Sequence, residues 1–160
     1  MIQFYGCKNV LVEDLKIYDS PFWIIHPVFC VIEPVRTVYS DSINYNYDVC
    51  VPECCTNVQI VDMDFNVGDD GIAIKSGRDQ DGWRIGQATE NVIIRNCHFA
   101  RWAITVGSEM SGGVRNIYIE DCKIDSCRNG IYFKSNPDRG GYFENLNMRR
   151  IEADVCLWGG

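Results

Sequence analysis

A spacing pattern that recurs along this chain constrains its fold more than any other feature. Five segments each begin with an asparagine and carry apolar or small residues one, three, six and eight positions later. The five asparagines are Asn9, Asn57, Asn91, Asn116 and Asn145. Residues 33–43 form a looser sixth copy, and the period lies in the twenties except where an insertion after Lys75 lengthens it.

The repeat predicts an all-β parallel solenoid. Alternation at offsets one and three is typical of a strand with one buried face, and the break before offset six indicates a bend. A second strand-like run follows each turn, as in residues 72–74, 104–106 and 131–133. Such units cannot bury a face alone and must stack, whereas the Leu-x-x-Leu-x-Leu spacing of a leucine-rich horseshoe is absent. We therefore expect one domain over residues 1–160, with about six coils and an asparagine ladder between them.

Composition narrows the function classes. Of the 160 residues 46% are hydrophobic and 23% are charged, as in soluble globular proteins. The net charge of −7 argues against a nucleic-acid partner, and no apolar run approaches the length of a membrane helix. The nine cysteines lack a paired zinc-type spacing, and we expect the inward-facing ones to act as small apolar fillers.

Three acidic residues are the principal candidates for chemistry. Asp69 and Asp70 lie on the glycine-flanked turn before strand 72–74, and Asp48 occupies the corresponding position of the preceding coil. Because neighbouring coils are separated by about 4.8 Å, we expect the three carboxylates to form one patch. Their repulsion should raise the pKa of at least one carboxyl, so that it stays protonated near neutral pH.

Such a patch has three possible readings. A protonated acid beside an ionised one is the combination that glycoside hydrolysis requires. Calcium binding is an alternative use of clustered carboxylates, and a plain polar turn is the third. The acidic segment 79–82 lacks the later glutamate of a calcium loop, and we expect it to be a turn.

Several motifs, taken in order, resemble those of one enzyme family. They are residues 68–78 around the acids, residues 84–86, 90–97 and 107–116, and the upstream segments 20–23 and 26–27. Nearly the whole chain thereby resembles the polygalacturonase family of glycoside hydrolases (family 28, the pectinases). The resemblance implies a right-handed parallel β-helix that hydrolyses galacturonan-type pectin with inversion. It also implies no metal or cofactor, and an extracellular or periplasmic location.

The resemblance further implies roles for individual residues. Asp69 corresponds to the general acid, while Asp48 and Asp70 correspond to the pair that holds and deprotonates the attacking water. Lys134 matches the lysine of the family's Arg-Ile-Lys segment, which binds the substrate carboxylate. A cation at that position is physically reasonable, because an acidic sugar must enter an acidic site.

Three positions depart from the family's pattern. Val49 follows Asp48 where the family has glycine, Arg101 stands where a histidine is expected, and Tyr132 replaces the arginine of Arg-Ile-Lys. An arginine close to Asp69 would lower the pKa of that carboxyl, which is the wrong direction for a general acid. Arg101 can instead bind a substrate carboxylate. We therefore predict altered specificity or reduced activity.

The complete set of predicted substrate-binding residues is Lys134, Arg101, Lys75, Tyr132 and Asn46, and an acidic plant cell-wall polysaccharide is the expected partner. The alternative from another functional class is a non-catalytic β-helix that binds acidic polysaccharide through the same groove. An inactive fragment of a larger pectinase is a further alternative. Both ends of the chain break off in mid-pattern, so we expect a solenoid truncated at both ends and able to self-associate through them.

Overall fold

The chain winds as a right-handed parallel β-helix of about 5 turns, which confirms the predicted fold class. This computed structural model describes the backbone of residues 1–36, 39–42 and 44–158, and the side chains of these residues except 33, 39–42 and 156–158. Part of the looser sixth repeat, residues 33–43, therefore lies outside the described residues. No helix in the described part of the chain is long and apolar enough to cross a membrane.

Strands make up most of the regular structure, and every pairing between described strands is parallel. In chain order they are β1 (Ile2–Tyr5), β2 (Lys8–Glu13), β3 (Lys16–Tyr18), β4 (Ile25–Val28), β5 (Val31–Arg36), β6 (Tyr39–Ser42), β7 (Thr56–Val61), β8 (Asp64–Val67), β9 (Ile72–Ile74), β10 (Thr89–Arg95), β11 (His98–Phe99), β12 (Ile104–Gly107), β13 (Val114–Ile124), β14 (Cys127–Asn129), β15 (Ile131–Lys134), β16 (Phe143–Ala153) and β17 (Cys156–Trp158). One helix, α1 (Asp79–Ile85), and a 3-10 turn at Pro137–Arg139 complete the list.

Two large sheets form the walls of the helix. We call the row β1, β4, residues 50–53, β9, β12 and β15 the groove sheet; single bridges at Cys50 and Glu53 join its two halves. The other wall contains β2, β5, β7, β10, β13 and β16 in one row, and β3, β6, β8, β11 and the second half of β13 in the next. Residues at equivalent repeat positions therefore stand side by side on successive coils.

The repeated asparagines form the predicted ladder. Asn91 donates to Asn57 (3.1 Å), Asn116 donates to Asn91 (3.0 Å), and Asn145 donates to Asn116 (3.0 Å) through their side-chain amides. The backbone at these positions, and at Asn9, is left-handed with φ between 56° and 58°. Asparagine is one of the few residues other than glycine that adopts this conformation readily, so a corner requirement explains the repeat.

A second left-handed corner lies five residues after each asparagine and accounts for the predicted bend. Its residues have φ of 53° to 56° and are Asp14, Asp62, Asn96, Asp121 and Arg150. Side chains link these corners too, since the amide of Asn96 donates to Asp62 (2.6 Å). Each of these five repeats thus contains two left-handed corners at fixed spacing, with a straight strand between them.

The apolar offsets fill the interior. In consecutive coils Val58 lies beside Val92 and Ile60 beside Ile94, all completely buried. The rings of Phe65 and Phe99 stack with centroids 4.6 Å apart. Each fully buried aliphatic side chain contributes about 1.5–3 kcal/mol relative to exposure. All eight cysteines whose side chains are described carry a thiol rather than a disulfide, and seven are buried, as expected of small apolar fillers.

The insertion after Lys75 contains helix α1, and this corrects the turn expected at residues 79–82. The helix ends at Gly86, whose left-handed backbone (φ 62°) lets its N–H bond to the carbonyl of Gly82. Gly82 approaches the loop after β12 so closely that an added Cβ would lie 2.6 Å from the Cβ of Ser111. A seven-residue helix with a central glycine has little helical signal, and this packing explains why it forms.

Candidate active site

The register of the groove sheet brings the acidic turns together. Single bridges pair Ile25 with Cys50 and Cys50 with Ile72, so the residues before them also stand side by side. The N–H of Val49 accordingly donates to the carbonyl of Asp70 (3.2 Å). Asp48 and Asp70 therefore occupy equivalent places on adjacent coils, as the repeat predicts.

The three carboxylates form one cluster with distinct environments. Asp48 and Asp70 are only 5% and 7% exposed, whereas Asp69 is half-buried at the edge of the groove sheet. Asp69 accepts hydrogen bonds from the backbone N–H groups of Asn46 (3.1 Å) and Asp70 (2.9 Å). Thr105, one coil further on, donates through its hydroxyl to Asp70 (2.5 Å).

The two buried acids, Asp48 and Asp70, are the carboxyls whose pKa values are raised. Burial, followed by repulsion from Asp69 and Asp70, raises the pKa of Asp48 to about 7. Burial also raises the pKa of Asp70, while the hydrogen bond from Thr105 acts in the opposite direction. The resemblance assigns the general acid to Asp69, whereas the carboxyls whose pKa values are raised in the free chain are those of Asp48 and Asp70.

Lys75 is enclosed rather than open to solvent. The residue is only 6% exposed. Its ammonium group pairs with the carboxylate of Glu109 at 2.5 Å and donates to the carbonyl of Gly107 (3.3 Å). The same group lies 4.7 Å from the centre of the Trp23 ring. Burial would raise the pKa of Glu109, but the hydrogen bond and charge of Lys75 outweigh it and hold that pKa at about 2. The charge of Lys75 also acts on Asp48 and Asp70, lowering their pKa values.

Two of the predicted substrate-binding residues face the groove from β15. Lys134 is exposed, and its charge lowers the pKa of both Asp48 and Asp70. Tyr132 is 38% exposed and stands beside Thr105 in the register of β12 and β15. A cation and an aromatic hydroxyl thus border the acidic cluster on one side.

Arg101 stands one coil from Asp69 but is turned aside. Its Nε group donates to the side-chain oxygen of Asn66 (3.0 Å), and its charge is not among the main influences on the pKa of Asp48 or Asp70. Asn46 contributes its backbone N–H to Asp69, while its side chain is exposed. Both residues border the cluster, although only Asn46 touches one of its carboxylates in the part of the chain described.

Sequence reasoning missed three contacts of the site: the bond from Thr105 to Asp70, and the contacts of Lys75 with Glu109 and with the Trp23 ring. Thr105 could have been found, because the register that aligns Asp48 with Asp70 also puts a polar side chain beside Ala73. The partners of Lys75 depend on loop conformations that carry no repeat. Within the described residues, no group of three or more His, Cys, Asp or Glu side chains is arranged to hold a metal ion.

Comparison with known proteins places this arrangement in a family. The sequence matches the model described as "Glycosyl hydrolases family 28" over residues 1–155. It is 32% identical to a "Probable polygalacturonase" of Vitis vinifera over 170 residues, covering 99% of this chain and 33% of that protein. It is 26% identical to an "Endo-polygalacturonase" of Pectobacterium parmentieri, covering 98% of this chain and 39% of that protein.

Solved structures agree with this result. The hyperthermoactive exopolygalacturonase of Thermotoga maritima superposes with a TM-score of 0.87 at 37% identity, over 96% of this chain and 38% of that one. A family 28 exopolygalacturonase of Yersinia enterocolitica, at 19% identity and a TM-score of 0.78 over 88% of this chain and 25% of that one, supports the fold alone. The chain spans well under half of the length of each of these relatives. By its sequence match over nearly its entire length, the chain belongs to glycosyl hydrolases family 28.

Proposed function

We propose that this chain carries the acid–base centre of a glycoside hydrolase that cleaves galacturonan-type polysaccharide with inversion. The observation that most supports this is the cluster of Asp48, Asp69 and Asp70, in which burial and repulsion raise the pKa of Asp48 to about 7. Such a cluster holds a protonated and an ionised carboxyl together near neutral pH, as glycosidic bond cleavage requires.

In the proposed mechanism Asp69 donates a proton to the departing glycosidic oxygen, and Asp48 and Asp70 position and deprotonate the attacking water. The half-buried position of Asp69 suits contact with a polysaccharide, and two N–H bonds fix its orientation. The deeper positions of Asp48 and Asp70 suit a small nucleophile. Because Asp48 and Asp70 are neighbouring acids with raised pKa values, the proton held near neutral pH is shared within this pair, and the ionised partner is the one that acts on the water.

The flanking residues would bind the acidic sugar. Lys134 and Arg101 are the proposed contacts for substrate carboxylates, and Tyr132 borders the same groove. Asn46 would act through the backbone bond that orients Asp69. Lys75, enclosed by Glu109 and Trp23, would act by setting the ionisation of the acids rather than by binding sugar.

An extracellular or periplasmic location is part of this proposal, since pectin is a cell-wall polymer. Burial is the main reason that the thiols of Cys54 and Cys55 have pKa values raised to about 12. The thiolate is the form that oxidises, so these buried thiols are protected in an oxidising compartment.

The variant Asp69→Asn tests the proposal against a non-catalytic module that binds acidic polysaccharide. The enzyme should lose at least about a hundredfold in reducing-sugar release from polygalacturonate, because general acid catalysis contributes that much, yet retain binding. Asp81→Asn, a similar change at an exposed position of α1, is the control and should leave the rate unchanged. An active parent chain whose rate survives Asp69→Asn would contradict the proposal, and a parent chain that binds without turnover would favour the binding module.

The replacement of the family's histidine by Arg101 leads to a second measurement. Reducing-sugar release from several pectin fractions should reveal a low rate on unmodified polygalacturonate. Arg101→His should raise the turnover rate on that substrate while weakening its binding. Rates on unmodified polygalacturonate typical of the family for the parent chain would contradict the reduced activity and leave the acid–base assignment intact.

A further inference from the structure

Two arginines beside the acidic cluster form no ion pair with any carboxylate that the structure describes. The chain contains ten arginines, and seven of them form ion pairs with carboxylates within the described residues. The described carboxylates leave three arginines without such a pair, namely Arg95, Arg101 and Arg128. In a chain with a net charge of −7, two of these three lie next to each other on successive coils.

The two neighbours are held by neutral groups. The N–H of Arg128 donates to the carbonyl of Arg101 (3.0 Å), so their backbones are in direct contact. The guanidinium of Arg101 is held by the amide oxygen of Asn66, and that of Arg128 lies 5.1 Å from the centre of the Trp102 ring. An amide and an indole orient a guanidinium without neutralising its charge.

This pair adjoins the proposed reaction centre. The N–H of Gly71 donates to the carbonyl of Trp102 (3.3 Å), so Trp102 lies directly beside the turn that carries Asp69 and Asp70. Arg101 and Arg128 follow on the same edge of the groove sheet, one and two coils beyond the acids. A polysaccharide that crosses the coils at Asp69 would therefore cross the turns that carry both arginines.

Two exposed guanidinium groups on neighbouring coils, neither paired with a described carboxylate, create a positive patch that attracts an anion. A guanidinium presents a planar fork of donors that matches a carboxylate in a bidentate way. We infer that Arg101, Arg128 and Trp102 form a subsite for the free carboxylate of a uronic acid residue adjacent to the cleaved bond. This inference rests on the proposed function, and it assigns to Arg128 and Trp102 a part in substrate choice.

The subsite makes recognition depend on the ionised acid. A methyl ester carries no charge and accepts weaker hydrogen bonds than a carboxylate. A sugar chain esterified at that residue should therefore bind less tightly than the free acid, and the difference should shrink at high salt because both arginines are exposed.

Calorimetric binding to the Asp69→Asn chain tests the subsite without turnover. The probes are a short unesterified oligogalacturonate and the same oligomer fully methyl-esterified. Arg128→Gln should weaken binding of the free acid about tenfold, the effect of losing one charge-assisted contact, and change binding of the ester by less than about twofold. Arg95→Gln removes the same charge from an exposed, unpaired arginine on β10 and should change neither affinity.

Each other outcome has a definite meaning. If the oligogalacturonate binds to Arg128→Gln as well as to the parent, the subsite is wrong and the proposed function stands. Equal losses for acid and ester would show that Arg128 supports the groove without reading the carboxylate, which also overturns the subsite. A parent chain that binds no oligogalacturonate overturns the proposed function together with the subsite. Matching thermal melts of the two glutamine variants exclude misfolding as the cause of a loss.

Discussion

The hydroxyl of Thr105 donates a 2.5 Å hydrogen bond to the carboxylate of Asp70, which lies 35 positions earlier in the chain. The bond favours the ionised form of Asp70. Thr105→Val removes it while preserving the shape of the side chain, and should raise the pKa of Asp70 further. We expect kcat on polygalacturonate to fall about tenfold with little change in KM, because Thr105 is buried beneath the groove.

Thr105→Ser is the matched control, since it keeps the hydroxyl and loses only a methyl group. It should retain most of the parent rate. A Thr105→Val chain with parental kcat would show that ionised Asp70 takes no part in the rate-limiting step.

The raised pKa of Asp48 predicts a dependence of stability on pH. Because its folded-state pKa of about 7 exceeds the unfolded value of 3.8, protonated Asp48 contributes stability below pH 4 that is lost as the pH rises through 7. Asp48→Asn does not titrate and should avoid this loss. Between pH 4 and pH 8 the free energy of unfolding of the parent should fall by about 4 kcal/mol relative to the variant.

Urea unfolding at the two pH values measures this difference directly. Asp81→Asn, at an exposed site, should follow the parent at both. Parallel changes in the parent and in Asp48→Asn would mean that Asp48 has an ordinary pKa.

The ion pair between buried Lys75 and half-buried Glu109 predicts separate effects on stability and on ionisation. Lys75→Met leaves Glu109 without its partner and should lower the free energy of unfolding by about 3 kcal/mol. The double variant Lys75→Met/Glu109→Met removes both charges and should recover most of that stability. Chemical denaturation of the three chains provides the comparison.

Both of these variants should shift the pH–rate profile in the same direction. The positive charge of Lys75 lowers the pKa values of Asp48 and Asp70, so its loss should move the titration of the cluster to higher pH. A profile that returns to the parental position in the double variant would place the control of ionisation in Glu109 instead.

The asparagine ladder predicts a graded cost for changes at Asn91. This residue accepts one side-chain bond from Asn116 and donates another to Asn57, on a left-handed backbone with φ of 57°. Asn91→Ala loses both bonds and places alanine in a left-handed conformation that it adopts less readily than asparagine, at a combined cost of about 3 kcal/mol. Asn91→Gly also loses both bonds, but glycine adopts the left-handed backbone readily, so this variant should be destabilised less.

Asn147→Ala, at an exposed position of β16 outside the ladder, should leave the midpoint of unfolding nearly unchanged. The expected order of destabilisation is alanine at 91, then glycine at 91, then alanine at 147. Equal midpoints of unfolding for the first two variants would show that the left-handed backbone conformation adds nothing to the cost of Asn91→Ala.

The repeat predicted the fold and the neighbourhood of the acids because both follow from backbone requirements. Asn57 and Asp62 occupy left-handed corners that few residue types adopt readily, so the positions of the corners can be recognised in the sequence. Once the coils are in register, Asp48 and Asp70 must lie side by side. The fold and the clustering of the acids thus both result from the same local backbone conformations repeated in every copy of the pattern.

The electrostatic details could not be predicted in this way. The pKa of Asp48 is governed first by its burial, which depends on side chains from several coils. The orientation of Arg101 towards Asn66 is a rotamer choice that spacing does not encode. Helix α1 was missed since its formation depends on close contact between Gly82 and Ser111, residues far apart in the chain.

The excursion through α1 leaves the stack and rejoins it without disturbing the coils on either side. The N–H of Gly112 donates to the carbonyl of Ser76 as the next coil passes, and the N–H of Thr89 donates to Gly113 where the excursion returns. The excursion can therefore change in length without moving the coils. Lengthening or trimming it would reshape the surface around α1, while Asp48, Asp69 and Asp70 keep their positions on the groove sheet.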